Sequence, residues 1–476
     1  MDRPGGGPAA SRSGPGSRAC CSARYSPAGE CGNRPARSTP RLAYDAAVND
    51  SAHPGYRPSW YVSSSPVIAP RPALERDMAA DVVVLGAGFT GLSAALSLAR
   101  QGLDVVVVEA ERVGWGASGR NGGQALVGFG CDIGVLERLV GLDHARRLFD
   151  FSRHGLDLLK QRIADYRIDC QWRDGAADVA LTRRQAAELH AHAGHMARAY
   201  GYALQYWTQP QLRAVLDSPR FVAGLFDPAG GHLHPLRYAL GLARAAAGHG
   251  VRIYEHSPVL DIRRGRQVVF TTARGRIRAD FGVIAGNALL HGIEPALERR
   301  IMPVGTYVGA TPPLGAERAR SLIANDMAVA DVNWALDYFR LSADHRLLFG
   351  GMASYSALPP PGLQAAMTRR MHAVFPQLHD VALEKVWGGM IDITRNRAPH
   401  FGRLDPNLYF AQGFCGHGVA ATGLAGDLIA RAILGQGDGL DAFAAIAHKP
   451  FPGGRLLRRP LLVAAMSWYK LRDRLG

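Results

Sequence analysis

The feature that most constrains this chain is a glycine-rich turn between a short apolar run and a helical pattern. The run "DVVVLG" begins at Asp81 and leads into Gly86-Ala87-Gly88-Phe89-Thr90-Gly91. The segment "TGLSAALSLARQG" follows with apolar residues at helical spacing, and a second apolar run, "LDVVVVEAE", contains Glu109. This order of strand, glycine turn, helix and strand predicts a β-α-β unit of a parallel sheet. We therefore expect an α/β fold.

The glycines of this turn, residues 86–91 (the first loop), have the spacing of a dinucleotide fingerprint. Gly86 permits a tight turn, and Gly88 lets the backbone approach a pyrophosphate at the helix N-terminus. Gly91 allows the helix to pack closely on the strand. Glu109, at the end of the second strand, is placed to accept hydrogen bonds from a ribose diol. The pattern predicts dinucleotide binding.

A second glycine-rich stretch, "VGWGASGRNGGQ" at residues 113–124 (the second loop), follows Glu109 directly. It contains Gly114, Gly116, Gly119, Gly122 and Gly123. A nicotinamide-binding fold would run into another crossover at this point. A long path of exposed backbone instead suits FAD, whose ribityl chain and ring extend beyond the pyrophosphate. The alternative interpretation is a flexible surface loop.

A third glycine cluster, residues 413–418 (the third loop), lies about 300 residues later and precedes a helical pattern. A helix N-terminus there would stabilise negative charge at the N1–C2=O side of a reduced flavin. Only a cofactor that spans discontinuous segments would use all three loops. The sequence thus predicts a discontinuous FAD-binding Rossmann-like domain and a second α+β substrate domain with a mostly antiparallel sheet.

The predicted domain organisation follows from where the patterns change along the chain. We expect a disordered basic tail at 1–50, an extended N-terminal arm at 51–78, FAD-binding segments at 79–130, 226–298 and 397–440, a helical insert of the substrate domain at 131–225, the antiparallel substrate sheet at 299–396, and a basic amphipathic segment at 441–476.

Composition excludes several classes of protein. The formal net charge is +15, but no aromatic-plus-basic pattern indicates nucleic-acid binding. The six cysteines form no C-x-x-C pair, so neither a disulfide framework nor a zinc site is expected, and a reducing cytoplasm fits. No apolar run reaches the ~18 residues of a membrane span. The end, "RLLRRPLLVAAMSWYKLRDRLG", either lies on an anionic membrane surface or packs on the body as a final helix.

Several segments from about residue 54 to the end carry a family resemblance: "GAGFTGLSAALSLARQGLDVVVVEAERVGWGASGRNGGQ", "GGHLHPLRYALGLARAA", "MPVGTY", "DYFRLSADHRLLFGG", "WGGMIDITRNRAPHFGR" and "GFCGHGVA". Together they resemble the FAD-dependent oxidoreductases of the D-amino-acid and sarcosine oxidase group. The resemblance implies that FAD takes a hydride from the carbon of a C–N bond, giving an imine that water hydrolyses to an aldehyde. The branch that the motifs resemble most acts on γ-glutamylputrescine, often with O2 as the electron acceptor.

Two departures from the family pattern change what the resemblance implies. Some relatives tether the flavin through a cysteine near the segment that here reads Ile391-Asp392-Ile393-Thr394. Because this segment contains no cysteine, we expect non-covalent FAD. Those relatives also have a lysine near the flavin on a strand that matches Leu347-Leu348-Phe349-Gly350, where no lysine stands. The absence of this lysine keeps an alternative: a dehydrogenase that passes its electrons to an acceptor other than O2. Cys415 stands where serine is expected, and we interpret it as a small buried residue.

The cofactor contacts expected from the three loops and the flanking segments are Gly86, Gly88, Phe89, Thr90, Gly91, Glu109, Ala110, Gly116, Ala117, Ser118, Arg120, Asn121, Gly122, Gly123, Gln124, Val259, Gly286, Gly413, Phe414, Gly416, His417, Gly418 and Val419.

Side-chain chemistry is sparse in the sequence, as amine oxidation by a flavin allows. A primary amine has a pKa of about 10, and only its neutral form releases a hydride, so desolvation in the site must favour that form. The candidates for the catalytic site are Trp334, Tyr338 and Trp387 as walls of a cation–π slot, Arg340 and Arg395 as partners of a substrate carboxylate, and His417 near N1 of the flavin or in proton release. The alternatives are ordinary core aromatics and structural ion pairs.

Four further polar residues are weaker candidates. Asp392 and Asn396 are placed to hydrogen-bond near the flavin ring, and His232 and His234 are expected in a packed turn. Rival functions on the same scaffold are a D-amino-acid, glycine or sarcosine type of oxidase or dehydrogenase. A flavin-binding protein without turnover and a flavin-dependent RNA-modifying enzyme are rivals of other classes.

Overall fold

The structure, a computed structural model, describes residues 53–333, 336–354 and 359–452. The helices are α1 Trp60–Ser63, α2 Phe89–Ala99, α3 Ile133–Val140, α4 Leu142–Asp165, α5 Arg183–Tyr200, α6 Gln209–Arg213, α7 Pro235–Gly248, α8 Pro295–Glu298, α9 Ala316–Leu322, α10 Leu363–Val374, α11 Gly418–Ile433 and α12 Asp438–Ala444. The strands are β1 Met78–Leu85, β2 Val105–Val108, β3 Gln124–Ala125, β4 Arg173–Ala180, β5 Gln205–Thr208, β6 Ala223–His232, β7 Arg252–Tyr254, β8 Asp261–Arg263, β9 Val268–Thr271, β10 Arg276–Ile284, β11 Met302–Ala310, β12 Ala328–Asp331, β13 Tyr338–Leu341, β14 Leu347–Ser354, β15 Lys385–Ile393, β16 His400–Asp405 and β17 Leu408–Gln412.

The first sheet has the strand order β16-β17-β10-β1-β2-β7, with β9 paired to β10 and β8 paired to β9. The pairs from β17 to β7 are parallel, and β16 is antiparallel to β17. The valine runs of β1 and β2 are buried because both faces of this sheet are covered. Helices α2, α4, α7 and α11 contribute to the core on one face, and an apolar cluster around Phe270 fills the other.

The second sheet has the order β15-β11-β14-β13-β12-β4-β6-β3, with β5 beside β6. Its pairs are antiparallel except for β12 and β4, which run parallel. One face packs on an apolar cluster that includes Phe339, Phe349 and residues of α9 and α10. The two sheets confirm the predicted α/β fold with a parallel sheet and a mostly antiparallel one.

Three predicted segments differ from the structure. The segment 131–225 is not only helical, since it supplies β4 and β5 to the second sheet while α4 packs on α11 in the first core. The segment 226–298 begins inside β6, a strand of the second sheet whose "DPAGGH" end has little strand propensity. The arm 51–78 is interrupted by the buried turn α1, which the side chain of Ser59 caps. The other boundaries remain predictions.

Three predictions concern residues outside the described ranges: the tail 1–50, the amphipathic C-terminus beyond residue 452, and Trp334. Within the described part of the chain, none of the helices combines the length and apolar character that a membrane crossing requires.

Candidate cofactor and active site

The first loop joins β1 to α2 with backbone packing that only glycine permits. Gly86 has φ +102°, and a Cβ there would lie 2.7 Å from the carbonyl oxygen of Ala285. A Cβ at Gly91 would overlap with the carbonyl oxygen of Gly86. Helix α2 follows, and its N-cap residue is Gly88, which has no side chain that could cap the first turn. The loop thus presents backbone N–H groups at a helix N-terminus, which is an anion site.

The second loop is held against the first by hydrogen bonds. Gly114 N donates to the carbonyl oxygen of Ala87 at 3.0 Å, and Phe89 N donates to Ser118 Oγ at 2.9 Å. Within the second loop, Asn121 Nδ2 donates to the carbonyl oxygen of Ala117 at 2.9 Å. These bonds disfavour the alternative interpretation of a flexible surface loop.

Arg120 connects the second loop to the second sheet. Its Nε donates to the carbonyl oxygen of Gly388 in β15, and its Nη1 donates to that of Arg57 at 3.1 Å. The indole Nε1 of Trp387 donates to the carbonyl oxygen of Arg120 at 3.1 Å. Because the side chain is buried, these bonds fix where the second loop crosses β15. Gln124 adds a bond from its Nε2 to the carbonyl oxygen of Val329 at 3.0 Å.

The third loop is anchored by Asp392 of β15. The carboxylate of Asp392 accepts hydrogen bonds from the backbone N–H groups of Gly413 and Phe414, the latter at 3.2 Å. Its own carbonyl oxygen accepts from Cys415 N at 3.0 Å. The pKa of Asp392 is raised to about 7, because burial raises it more than these backbone bonds lower it. Asp392 therefore orients the third loop, and its place beside the flavin ring stays a prediction.

The third loop also meets the other two. His417, the N-cap residue of α11, places its Nε2 3.2 Å from the carbonyl oxygen of Val127, just after the second loop. Helix α11 packs on α2 so closely that a Cβ at Gly426 would lie 2.6 Å from the carbonyl oxygen of Thr90. The three loops, far apart in the chain, therefore converge at the ends of α2 and α11 beside β15.

Glu109 lies where the first and second loops meet. Its half-buried carboxylate accepts hydrogen bonds from Ala87 N at 2.7 Å and from Glu111 N at 3.1 Å. The pKa of Glu109 is raised to about 7, because burial raises it more than the two backbone bonds lower it. An acceptor at the end of the second parallel strand is suited to bind a ribose diol.

The raised pKa of Glu109 predicts a pH-dependent stability of the FAD-free protein. The folded protein keeps a proton on Glu109 up to about pH 7, whereas the unfolded chain releases it near its ordinary value of about 4.3. The free energy of unfolding should therefore fall as the pH rises from about 4.3 to about 7, the interval between the two pKa values. We expect the melting temperature of Glu109→Gln, relative to the wild type, to increase over that range. A difference that stays constant with pH would contradict the assignment.

The face of the second sheet that carries Tyr338 and Arg340 points towards the second loop. A Cβ at Gly122 would overlap with the ring of Tyr338, which is half-buried. Tyr338 thus contacts the glycine path, as a wall residue should. Trp387 is fully buried and packs against Tyr61 with the ring centroids 5.1 Å apart. It is therefore a core residue, and the prediction that its ring forms a wall of the cation–π slot is wrong.

Both candidate arginines donate hydrogen bonds to backbone carbonyl oxygens. Arg340 is buried and donates to the carbonyl oxygens of Gly122 at 2.7 Å and Leu233 at 2.9 Å, so it fixes the second loop. Arg395 lies at the surface and donates to the carbonyl oxygen of Pro450 at 3.3 Å. The sequence could not separate these roles, because the acceptors come from distant segments.

Other weak candidates are structural. Asn396 donates from Nδ2 to the carbonyl oxygen of Ala447 at 3.0 Å, and its place near the ring stays a prediction. His232 and His234 lie in a packed turn, where His232 Nε2 is 2.7 Å from the carbonyl oxygen of Asp326 and the ring of His234 packs on Tyr61.

Two residues predicted to contact the cofactor, and Cys415 of the third loop, lie in packed surroundings. Val259 is buried in the apolar cluster that covers β2 and β10, so only its backbone is available to a ligand. Gly286 follows β10, and a Cβ there would lie 2.5 Å from Leu290 Cδ2. Cys415 is buried at φ +54°, and burial raises the pKa of its thiol to about 11, as an inert small residue requires.

A buried ion pair behind the first two loops was missed by sequence reasoning. Arg112 Nε lies 2.7 Å from Glu255 Oε2, and both side chains are almost fully buried. The other carboxylate oxygen of Glu255 accepts from Val113 N at 2.8 Å, at the start of the second loop. The sequence signal for this pair is Glu255, a charged residue that directly follows strand β7. Within the described ranges, no cluster of three or more His, Cys, Asp or Glu side chains is arranged to hold a metal ion.

The residues present fit FAD. A cradle formed by glycines that tolerate no Cβ, a helix N-terminus and a half-buried carboxylate matches the pyrophosphate and ribose of a dinucleotide. The second and third loops extend that cradle beyond the pyrophosphate, as the longer cofactor requires.

Comparisons with known proteins agree with this geometry. Residues 81–432 match the family model DAO, described as FAD dependent oxidoreductase. The chain is 43% identical over 419 residues to the gamma-glutamylputrescine oxidoreductase of Escherichia coli K12, covering 88% of this chain and 98% of that one. It is 42% identical to the probable oxidoreductase OrdL of Haemophilus influenzae, covering 85% and 94%. The crystal structure of glycine oxidase from Geobacillus kaustophilus superposes with a TM-score of 0.65 at 21% identity, covering 75% and 95%.

The family model spans most of the chain, and the two relatives match it nearly from end to end. The solved glycine oxidase has the same fold. The chain belongs to the DAO family of FAD-dependent oxidoreductases.

Proposed function

We propose that this enzyme oxidises γ-glutamylputrescine at its terminal amine, giving an aldehyde and ammonia. The observation that carries the proposal is the 43% identity, over almost the whole of both chains, to the E. coli protein named gamma-glutamylputrescine oxidoreductase. FAD, when bound, accepts the hydride from the carbon that bears the nitrogen, and water then hydrolyses the imine.

The residues of this chain would bind and position the reactants. The first loop and the N-terminus of α2 would hold the pyrophosphate, and Glu109 the ribose. The second and third loops would follow the rest of FAD, held without a covalent bond. The amine must lose its proton before it can react, so the site must exclude water and disfavour the charged form. The apolar ring of Tyr338 beside Gly122 supports that role.

The position of Arg340 favours an amine over an α-amino acid as the substrate. Its buried guanidinium group donates to the backbone carbonyl oxygens of Gly122 and Leu233. It is therefore not placed as a clamp for an α-carboxylate next to the reacting carbon. This supports the proposed substrate over the D-amino-acid and sarcosine alternatives.

The proposed electron acceptor is O2. Because β14 lacks the lysine that some relatives have near the flavin, a different oxidant is the alternative acceptor. The cysteine pattern supports a reducing, cytoplasmic location.

The proposal is tested by the visible spectrum of the purified holoenzyme under anaerobic conditions. Addition of γ-glutamylputrescine should bleach the absorption band of the oxidised flavin, and D-alanine and sarcosine should not. Bleaching by D-alanine or sarcosine, but not by γ-glutamylputrescine, would reject the proposed substrate. A flavin that no amine reduces would favour a binding protein without turnover.

A further inference from the structure

The second sheet has two faces of opposite character. On one face, Ala177 of β4, Val329 of β12 and Phe339 of β13 are buried in an apolar core cluster. Side chains alternate between faces along a strand, so the residues next to them lie on the opposite face. That opposite face is the one on which Tyr338 and Arg340 contact the second loop at Gly122.

One row of this loop-facing face reaches solvent. Asp178 of β4 pairs with Ala330 of β12, and Ala330 pairs with Tyr338 of β13. Ala330 and Tyr338 are half-buried, and Asp178 is exposed. The row therefore runs from Tyr338 at the second loop to a solvent-exposed carboxylate. Two strand spacings separate Asp178 from Tyr338, roughly 10 Å, with only the small side chain of Ala330 between them.

Asp178 has no hydrogen-bond or ion-pair partner among the residues that the structure describes. The surrounding protein and the carboxylates of Asp227 and Asp132 together raise its pKa to about 6. Asp227 is itself bonded, since both its oxygens accept from Tyr202 Oη at 2.8 Å. Asp178 is therefore a carboxylate that a ligand can reach, and a cationic group would offset the repulsion from the two other carboxylates.

We propose that Asp178 binds a second, non-reacting ammonium group of the substrate. The inference rests on the proposed function and assigns the substrate class: primary amines that carry another cationic nitrogen at the far end of a flexible chain. In γ-glutamylputrescine that group is the α-ammonium of the glutamyl end. Asp178 is thus a specificity-determining residue, remote from the reacting carbon.

The reacting nitrogen is a poor partner for Asp178. A carboxylate stabilises the charged form of a nearby ammonium, whereas oxidation requires the neutral amine. The apolar end of the row, where Tyr338 meets Gly122, suits the neutral amine, and the end at Asp178 suits the cation. The row thus separates the two requirements along one extended substrate.

The test compares two substrates in the holoenzyme: γ-glutamylputrescine and its desamino analogue N-glutarylputrescine, which lacks only the α-ammonium. Asp178→Asn keeps the size of the side chain and removes its charge. We expect its KM for γ-glutamylputrescine to rise about 10- to 100-fold with kcat nearly unchanged, as loss of a uniform binding interaction predicts. The kinetics with the desamino analogue should be the same in both proteins. The wild type should bind that analogue less tightly by a similar factor.

The matched control is Asp261→Asn, which removes one charge from an exposed position in β8 and should change neither substrate's KM. The melting temperature of Asp178→Asn should equal or exceed that of the wild type. An equal loss with both substrates, or a fall in kcat with unchanged KM, would overturn the role of Asp178. A wild-type flavin that γ-glutamylputrescine does not reduce would instead overturn the proposed function, and with it the substrate named here.

Discussion

Gly91→Ala is expected to weaken FAD binding about 100-fold. The new Cβ would overlap with the carbonyl oxygen of Gly86, so either α2 or the turn at Gly86 must move. Both elements present the backbone N–H groups that a pyrophosphate requires, and each charge-assisted hydrogen bond contributes about 1.5–3 kcal/mol. The loss of one or two of these hydrogen bonds corresponds to an affinity about 100-fold weaker. Titration of FAD into the deflavinated protein, followed by quenching of flavin fluorescence, measures the effect.

The control for that experiment is Gly248→Ala at the end of α7. A Cβ there meets nothing within 4 Å, so FAD affinity should match that of the wild type. Unchanged affinity in Gly91→Ala would show that the first loop is not the pyrophosphate site.

Glu255→Ala is expected to cost about 3–5 kcal/mol of stability, because it leaves the Arg112 cation buried without its carboxylate. The same substitution removes the acceptor for Val113 N, and the segment that joins Glu109 to the second loop loses its support. We expect a large drop in the urea midpoint and weaker retention of FAD in the same variant.

The matched control for the buried pair is an exposed one. Glu75 lies 2.9 Å from Arg274 Nη1, with side chains 68% and 69% exposed. Glu75→Ala should therefore change stability by less than about 1 kcal/mol. Equal urea midpoints for Glu255→Ala and Glu75→Ala would contradict a stabilising role for the buried ion pair.

Sequence reasoning performed well where the determinants are local. The first loop, α2 and β2 follow from glycine spacing and apolar periodicity, and Gly86 and Gly91 have the close backbone contacts that the fingerprint predicts. The third loop was recognised for the same reason, since a glycine cluster before a helix is visible without any tertiary information. FAD and the family follow from these motifs.

The parts that were not predicted depend on long-range partners. Strands β4 and β6 are rich in alanine and glycine, so their strand character comes from pairing with each other and not from propensity. Arg340 reads as a substrate-binding arginine until the carbonyl oxygens of Gly122 and Leu233 surround it. Asp178 has no role that the sequence indicates, and only the strand register places it beside Ala330, in the row of Tyr338.

The central claim, that three separate loops bind one FAD, is tested most directly by amide hydrogen exchange with and without the cofactor. Addition of FAD to the deflavinated protein should slow exchange in residues 86–91, 113–124 and 413–418 together, at equimolar cofactor. Exposed segments away from the site, such as β8, should exchange at the same rate in both states. Protection confined to the first loop, with the second and third unchanged at saturating FAD, would contradict the account.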